Sequence, residues 1–382
     1  MPASVRLAAY YFAFFCYAGA MVPYFPLWLA ATGFESAQIA LVLAMPQVAR
    51  IFAPALWGWL ADAWGARFPG VRRAIVVFSS LAVIGGLAAL YAVQSAAGAA
   101  AAMFAMGVLS AGAIPLVEAI TLATLAGRTG LYGPIRLWGS VGFILGVLGT
   151  GAWLDAHGPR SVLDAAVAFS LLALAAACAL PAGGGPPPVQ PGPQRFAPVL
   201  ARTEVLAFFG ACVCMALAHG ALYAFFSIHL EQLGYPKTLI GALWTAGVVA
   251  EIVLFLFLPQ LLRRFSLRSL LVASFACAAA RFLAIGWGAQ WLTLLAAAQL
   301  LHAVTFGAFH AASVAAAHRL FPGRLEGRGQ ALYSSLTYGL GGALGTLLAG
   351  WTWSELGAAA SFAASALFGA LGGALIAWKV RV

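Results

Sequence analysis

Five charged residues stand inside long apolar stretches of this chain: Arg50, Glu118, Arg136, Glu251 and Arg281. His219, His302 and His310 lie in similar stretches. A charge within hydrocarbon is costly, so those that remain line a water-filled path or pair with one another. Histidine adds a group that titrates near neutrality. Together these groups bind anions and exchange protons. A buried carboxylate beside arginine and histidine takes or releases a proton as its surroundings change. An anion competing for Arg136 or Arg281 shifts that balance, which is a physical basis for coupling. Plainer readings stand beside these. Glu251 and Arg281 also read as a permanent buried ion pair that fixes helix packing, Arg136 as an arginine snorkelling to the headgroups, and His302 and His310 as packed core residues.

The elements that must position these groups are membrane helices. Of 382 residues, 63% are hydrophobic and only 8% charged, with a mean hydropathy of +0.96. No soluble class has this composition. Apolar runs about 20 residues long suffice to cross the bilayer as helix. Twelve are read, over 7–30, 39–60, 74–93, 99–126, 135–154, 162–180, 205–229, 239–262, 270–287, 291–317, 331–353 and 358–378. A Pro/Gly-rich run, "PAGGGPPPVQPGPQR", separates the sixth from the seventh and reads as a linker. The expected organisation is a bundle over 1–181, a cytoplasmic linker over 182–201 and a bundle over 202–382.

The net charge of +10 raises the possibility of a nucleic-acid partner, but the placement of the charges decides for a membrane. With the N-terminus cytoplasmic, fifteen of the twenty Lys and Arg residues fall on inner loops and ends, and only Arg160 and Lys237 on outer ones. That is the positive-inside pattern with both termini inside. It also reads the first span as a retained helix, since a cleaved signal has a shorter apolar core. The five cysteines lie in apolar spans without the spacing of a disulfide frame or metal site.

Shifting the chain by 196 residues lays Arg6 on Arg202, Arg67 on Arg263, Arg72 on Arg268 and Arg128 on Arg324, and Leu148-Gly149-Thr150 on Leu344-Gly345-Thr346. The chain is therefore a tandem repeat of six helices. The same shift places Glu118 on Val314, Glu251 on Ala55, Arg281 on Gly85 and His302 on Met106, so these groups belong to one half each. Glu118 and Arg136 sit roughly 16 Å and 11 Å along adjacent antiparallel helices from the "GRTG" turn, close enough in depth to meet. Gly139, Gly142, Gly146 and Gly149 give the fifth span a small-residue face for close packing. Tyr10, Phe14, Tyr17, Met21, Tyr24 and Trp28 form one stripe on the first span, and the seventh adds His219, Tyr223 and Phe226. Such stripes line a cavity for a flat ring or pack against neighbours.

Two six-helix halves about a linker is the plan of the major facilitator superfamily, whose halves rock about a midplane site. "GWLADAWGARFPGVRR" resembles that superfamily's loop signature. There Gly58 and Gly65 would permit close packing and a tight turn, while Asp62, with Arg67 and Arg72 following, would latch an inner gate. "YGPIRLWGSVGFILG", "GALWTAGVVAEIVLF", "LHAVTFGAFHAASV" and "FAPALWGWLAD" resemble the phenylpropionate permease family over nearly the whole chain. That family is itself similar to lactose permease and the nucleoside/proton symporters. The resemblance to lactose permease implies substrate binding by Glu118 and Arg136, and proton coupling by Glu251, Arg281 and His302. It departs at Thr305, where lactose permease has a second acid, leaving Glu251 as the expected proton carrier.

The expected fold is an all-α integral membrane protein of two pseudo-symmetric six-helix bundles in a bacterial-type inner membrane. The expected activity is proton-coupled symport of a small organic acid, with aromatic carboxylates such as 3-phenylpropionate supplied by the resemblance. Substrate contacts would come from Glu118, Arg136, Arg281, His219, Tyr17, Tyr24 and Tyr223, and coupling from Glu251, Arg281, His302 and His310. A proton serves as coupling ion with no other cofactor; the partners are substrate and lipid, and the chain works as a monomer. Sugar or nucleoside symport is the alternative, although a sugar pocket calls for more Asn, Gln and Asp. Drug efflux is weaker because "GSVGFILGVLGTG" has no proline. No HExxH, GxSxG or Walker loop supports an enzyme. A non-transporting receptor remains compatible with the sequence.

Overall fold

Apolar helices of this length have no water to satisfy their backbones, so each must close its own hydrogen bonds. The computed structural model describes residues 1–65, 67–182 and 196–381, and these are helical without strand. The helices are α1 (Ala3–Ala31), α2 (Ser36–Arg50), α3 (Ala53–Gly65), α4 (Val71–Ala92), α5 (Ala96–Ser110), α6 (Ala113–Leu125), α7 (Tyr132–His157) and α8 (Val162–Cys178). After the short α9 (Ala197–Leu200) come α10 (Thr203–Gln232), α11 (Lys237–Arg264), α12 (Leu267–Gly288), α13 (Leu292–Leu300), α14 (Phe309–Leu320), α15 (Glu326–Ser334) and α16 (Gly342–Lys379). Residues 183–195, most of the expected linker, lie outside the described residues.

Eleven helices among the described residues are long and apolar enough to cross a membrane, where the sequence reading has twelve. The difference lies in the last run, Glu326–Lys379, which is 54 residues long. It contains Gly357, whose φ of 82° and ψ of −179° break the helical path. Only glycine adopts that conformation without steric cost.

The described residues form two compact units. The first draws on Met1–Phe34, Val48–Val189 and Pro236–Ala242; the second on Glu35–Gln47, Gln190–Tyr235 and Leu243–Val382. In the first, α1 is the central element. Leu7, Tyr10 and Tyr11 enter a core with Ile75, Val76, Val117, Ile120 and Ile135. Glycine brings α1 and α7 into near backbone contact. A Cβ at Gly142 would stand 2.2 Å from the Phe12 carbonyl oxygen, one at Gly146 2.4 Å from that of Cys16, and one at Gly19 2.6 Å from that of Phe143. Gly149 takes no part, since a Cβ there meets nothing within 4 Å. The expected glycine face is therefore real for three of its four members.

In the second unit α10 holds the corresponding place, buried along most of its length and packed on α16. Here the close approach is made at Gly220, where a Cβ would stand 2.2 Å from the Gly345 carbonyl oxygen. By contrast α11 exposes Val249, Val253, Leu256 and Phe257. In a multi-pass membrane protein such faces meet lipid.

Candidate functional site

Six of the residues expected to do chemistry form two clusters: Glu118 and Arg136 in the first unit, and Glu251, Arg281, His302 and His310 in the second. In the first, Arg136 follows the first turn of α7 and points its Nε at Glu118 Oε1 of α6, 3.9 Å away. The side chains are 33% and 39% exposed, so this is a loose, partly solvated pair. The guanidinium also lies over the rings of Tyr11 and Phe15, 5.1 and 4.6 Å from their centroids. Those two residues are four apart on α1 and share a face. Gly139 keeps that seat open, because a Cβ there would come within 2.7 Å of Arg136 Nη1 and 3.0 Å of Phe15. Arg136 is thus held by aromatic faces and an acid rather than left to snorkel.

The second cluster is tighter and drier. Arg281 of α12 is 1% exposed. Its Nη1 donates to His302 Nδ1 at 3.2 Å and to Thr305 Oγ1 at 3.0 Å, and its Nη2 to Gln299 Oε1 at 2.7 Å. Guanidinium has no acceptor, so the His302 Nδ1 must accept and the ring is neutral with its proton on Nε2. That Nε2 faces Glu251 Oε2 at 3.6 Å. A carboxylate, an imidazole and a guanidinium therefore stand in series. The direct Glu251–Arg281 ion pair considered from sequence is corrected: His302 stands between them, and each acceptor on Arg281 is uncharged.

Small residues and an irregular helix build this arrangement. A Cβ at Gly247 would meet His302 Cβ at 3.1 Å, and one at Gly307 would meet Glu251 Cγ at 3.0 Å, so both glycines let α11 lie close to the helix carrying His302. Between α13 and α14 the chain forms a π-helical turn over Ala303–Ala308. Such insertions re-aim side chains and recur at functional sites. His302 and Thr305 consequently reach the same guanidinium nitrogen. The rings of His302, Phe306 and His310 stack along this helix, with centroid separations of 5.2 and 6.3 Å. His310 Nδ1 in turn meets the Tyr338 hydroxyl at 2.8 Å and that of Tyr333 at 3.3 Å. Tyr338 belongs to a second π-helical turn, Ser335–Gly341.

His219 of α10 is 5% exposed, and its Nδ1–H donates to the Met215 carbonyl oxygen at 2.8 Å. Its ring meets Phe282 edge-on at 5.1 Å and stacks with Tyr223 at 6.0 Å, and Tyr223 stacks on Trp244 at 6.0 Å. The stripe on α1 behaves differently. Tyr24 is wholly buried, and its hydroxyl faces the carbonyl oxygens of Val147 and Lys237 at 3.0 and 3.1 Å. Helix packing occupies both its ring and its hydroxyl, against the expected substrate contact. Tyr17 reaches Met106 Sδ at 3.9 Å, and Tyr10 and Phe14 stack.

Across the turn between α3 and α4, Arg72 Nη2 of α4 donates to Asp62 Oδ1 of α3 at 3.3 Å. The glycines there do not act as expected. A Cβ at Gly58 meets nothing within 4 Å, one at Gly65 only reaches Val71 at 4.0 Å, and the left-handed turn falls at Gly70, with φ 88°. The Arg67 backbone N–H closes the end of α3 onto the Trp64 carbonyl oxygen. Arg268, which the 196-residue shift lays on Arg72, donates to the carbonyl oxygen of Ala377 rather than to an acid.

Residues 4–364 match the MFS_1 like family. The chain belongs to the major facilitator superfamily. It is 32% identical over 369 residues to the probable 3-phenylpropionic acid transporter of Escherichia coli (strain K12), covering 92% of this chain and 91% of that one. It is 28% identical to the maltose permease of Geobacillus stearothermophilus, over 90% and 86% of the two chains. The crystal structure of a point mutant of the nucleoside transporter NupG superposes with a TM-score of 0.84 at 17% identity over 98% of both chains, a likeness of fold. This major facilitator chain is a secondary transporter.

Sequence reasoning missed Gln299, and Tyr11 and Phe15 as the seat of Arg136. A signal existed for the first: Gln299 is an amide in an apolar span, three residues before His302 and so on its face. No pattern singles out Tyr11 and Phe15 among the many aromatics of the first span. Asp155 of α7 was also unremarked, yet its carboxylate accepts from the backbone N–H groups of Lys237 and Thr238 at 2.7 and 2.9 Å and from Thr238 Oγ1 at 2.6 Å. It caps the start of α11 from another helix.

Proposed function

We propose that this transporter takes up a small organic acid together with a proton by alternating access. The observation that carries the reading is the buried series Glu251–His302–Arg281. A buried guanidinium whose acceptors are all neutral attracts an anion, and a carboxylate one imidazole away is placed to gain or lose a proton when the anion arrives. Neutral His302 presents its Nε2–H to Glu251 and its Nδ1 lone pair to Arg281, so a change of charge at either end is felt at the other. A monocarboxylate with an aromatic body, such as 3-phenylpropionate, suits the rings of Tyr223, Trp244 and Phe282 near His219. The name of the relative from Escherichia coli supports the same substrate class. His310, with its two tyrosine hydroxyls, extends the polar series. Glu118 and Arg136 form a second polar point for substrate, and the Arg72–Asp62 pair a latch between α3 and α4. The reading includes twelve spans, with Gly357 dividing the last run, both termini in the cytoplasm, a linker over 182–201, and a monomer in a bacterial inner membrane.

The test is uptake of labelled 3-phenylpropionate by proteoliposomes under an inward proton gradient. Wild type is expected to accumulate it above equilibrium. Glu251→Gln is expected to lose accumulation while retaining exchange of internal for external substrate. Wild-type accumulation of maltose or a nucleoside, but not of the acid, would instead assign the chain to the sugar and nucleoside symporters, whose polar substrates suit the Glu118–Arg136 pair.

A further inference from the structure

Arg281 and Gln299 each keep a buried donor with no protein partner. The Arg281 Nε–H and the Gln299 Nε2 amide are both enclosed and unbonded among the described residues, in side chains 1% and 2% exposed. The orientation of the amide follows from chemistry. Gln299 Oε1 accepts from Arg281 Nη2, and turning the amide over would set its N–H groups against a guanidinium that can only donate. The Nε2 is therefore presented as a donor beside a cation. Leaving such donors unbonded in an enclosed site costs free energy, more so next to an unneutralised charge. His302 Nδ1, Thr305 Oγ1 and Gln299 Oε1 accept three of the other four guanidinium hydrogens but bring no charge.

One ligand chemistry answers all of this: an acceptor-only group with two oxygens and a negative charge. We propose that the Arg281 Nε–H and the Gln299 Nε2 amide together seat the carboxylate of the transported acid, and that Gln299 makes the site read acids rather than their uncharged analogues. This rests on the organic-acid reading above and names the groups that recognise the acid. A neutral residue at 299 is essential to the scheme. An acid there would neutralise Arg281 permanently and compete with the ligand, and an apolar residue would remove one donor and free Nη2. His219 adds the complement, because with Nδ1–H given to Met215 its buried Nε2 is a bare acceptor without a partner. It faces Phe282, the neighbour of Arg281 in sequence, and suits a proton or hydroxyl carried by the ligand.

The test is equilibrium binding to the purified full-length chain in lipid nanodiscs, read by ligand-induced shifts in thermal unfolding. The ligands are 3-phenylpropionate, hexanoate and the uncharged 3-phenylpropionamide; the proteins are wild type, Gln299→Leu and Gln299→Glu. Wild type is expected to bind 3-phenylpropionate at least about tenfold more tightly than its amide, the size of one hydrogen bond to a charged group. Gln299→Leu should weaken the acid about tenfold, and Gln299→Glu about a hundredfold or more through like-charge repulsion. Amide binding should change by less than about threefold in both variants, since it makes no charge-assisted bond there. Retained amide binding and cooperative unfolding also report that the variants fold. Binding of the acid unchanged in Gln299→Glu, equal affinity for acid and amide, or no binding of either carboxylate by wild type would each overturn the proposal. If hexanoate binds with this dependence on Gln299 and 3-phenylpropionate does not, the carboxylate seat stands and the aromatic reading of function fails.

Discussion

Arg136 and Arg281 both carry a guanidinium into an apolar helix, and the protein holds them in opposite ways. Arg136 keeps a third of its side chain exposed, leans on two aromatic faces and has an acid 3.9 Å away. Arg281 is enclosed, satisfies three neutral acceptors and reaches a carboxylate only through His302. The first charge is balanced locally and screened by its exposure, so small changes around it are tolerated. The second is unbalanced and unscreened, so it answers strongly to whatever anion or proton comes near. The contrast assigns sensitivity to the second unit and adaptability to the first.

Substitution by lysine should separate the two most widely. Lysine keeps the charge but loses the planar fork. Arg281→Lys leaves buried acceptors without donors, and uptake kcat/KM in proteoliposomes should fall a hundredfold or more, about 3 kcal/mol. Arg136→Lys still offers a cation to Glu118 and two aromatic rings, and about a tenfold loss is expected. Equal losses would break the comparison.

Helix packing beneath Arg136 gives the next effect. Gly142→Ala forces a methyl group against the Phe12 backbone and should destabilise the protein by about 1–3 kcal/mol, measured as thermal unfolding in detergent. Gly149→Ala, seven residues along the same helix and facing open space, should leave unfolding unchanged. If the two behave alike, the contact of α1 with α7 is not what seats Arg136.

Two smaller effects sharpen the picture. Removing the cap in Asp155→Ala should cost about 0.5–2 kcal/mol in the same unfolding measurement, as loss of a helix cap does. Glu118→Gln should change substrate affinity only a few-fold, because an exposed ion pair contributes about 0–1 kcal/mol. A loss for Glu118→Gln as large as that for Glu251→Gln in driven uptake would place coupling in both units.

Much of this is legible in the amino-acid sequence alone. The pairing of Glu118 with Arg136 followed from counting residues out from one tight turn, because helical rise fixes depth. The glycine face of α7 followed from spacing, although Gly149 shows that spacing does not say which member meets a neighbour. His302 beside Glu251 and Arg281 was expected from the family resemblance, but its place between them was not. That order depends on a π-helical turn, which adds a residue without leaving a mark in composition. The motif glycines Gly58 and Gly65, both in α3, failed in another way, since a motif names positions and not the contacts that occupy them.

By itself the sequence determined the solvent, the helical class and the residues too costly to bury without a role. It could do so because hydrophobic length and the cost of a charge in hydrocarbon are properties of the chain alone. Only tertiary structure decided which partner each charge has, that Gln299 belongs beside Arg281, and that Tyr24 serves packing. Those outcomes rest on distances of a few ångströms between helices far apart in sequence, where one glycine or one extra residue in a turn changes which atoms meet.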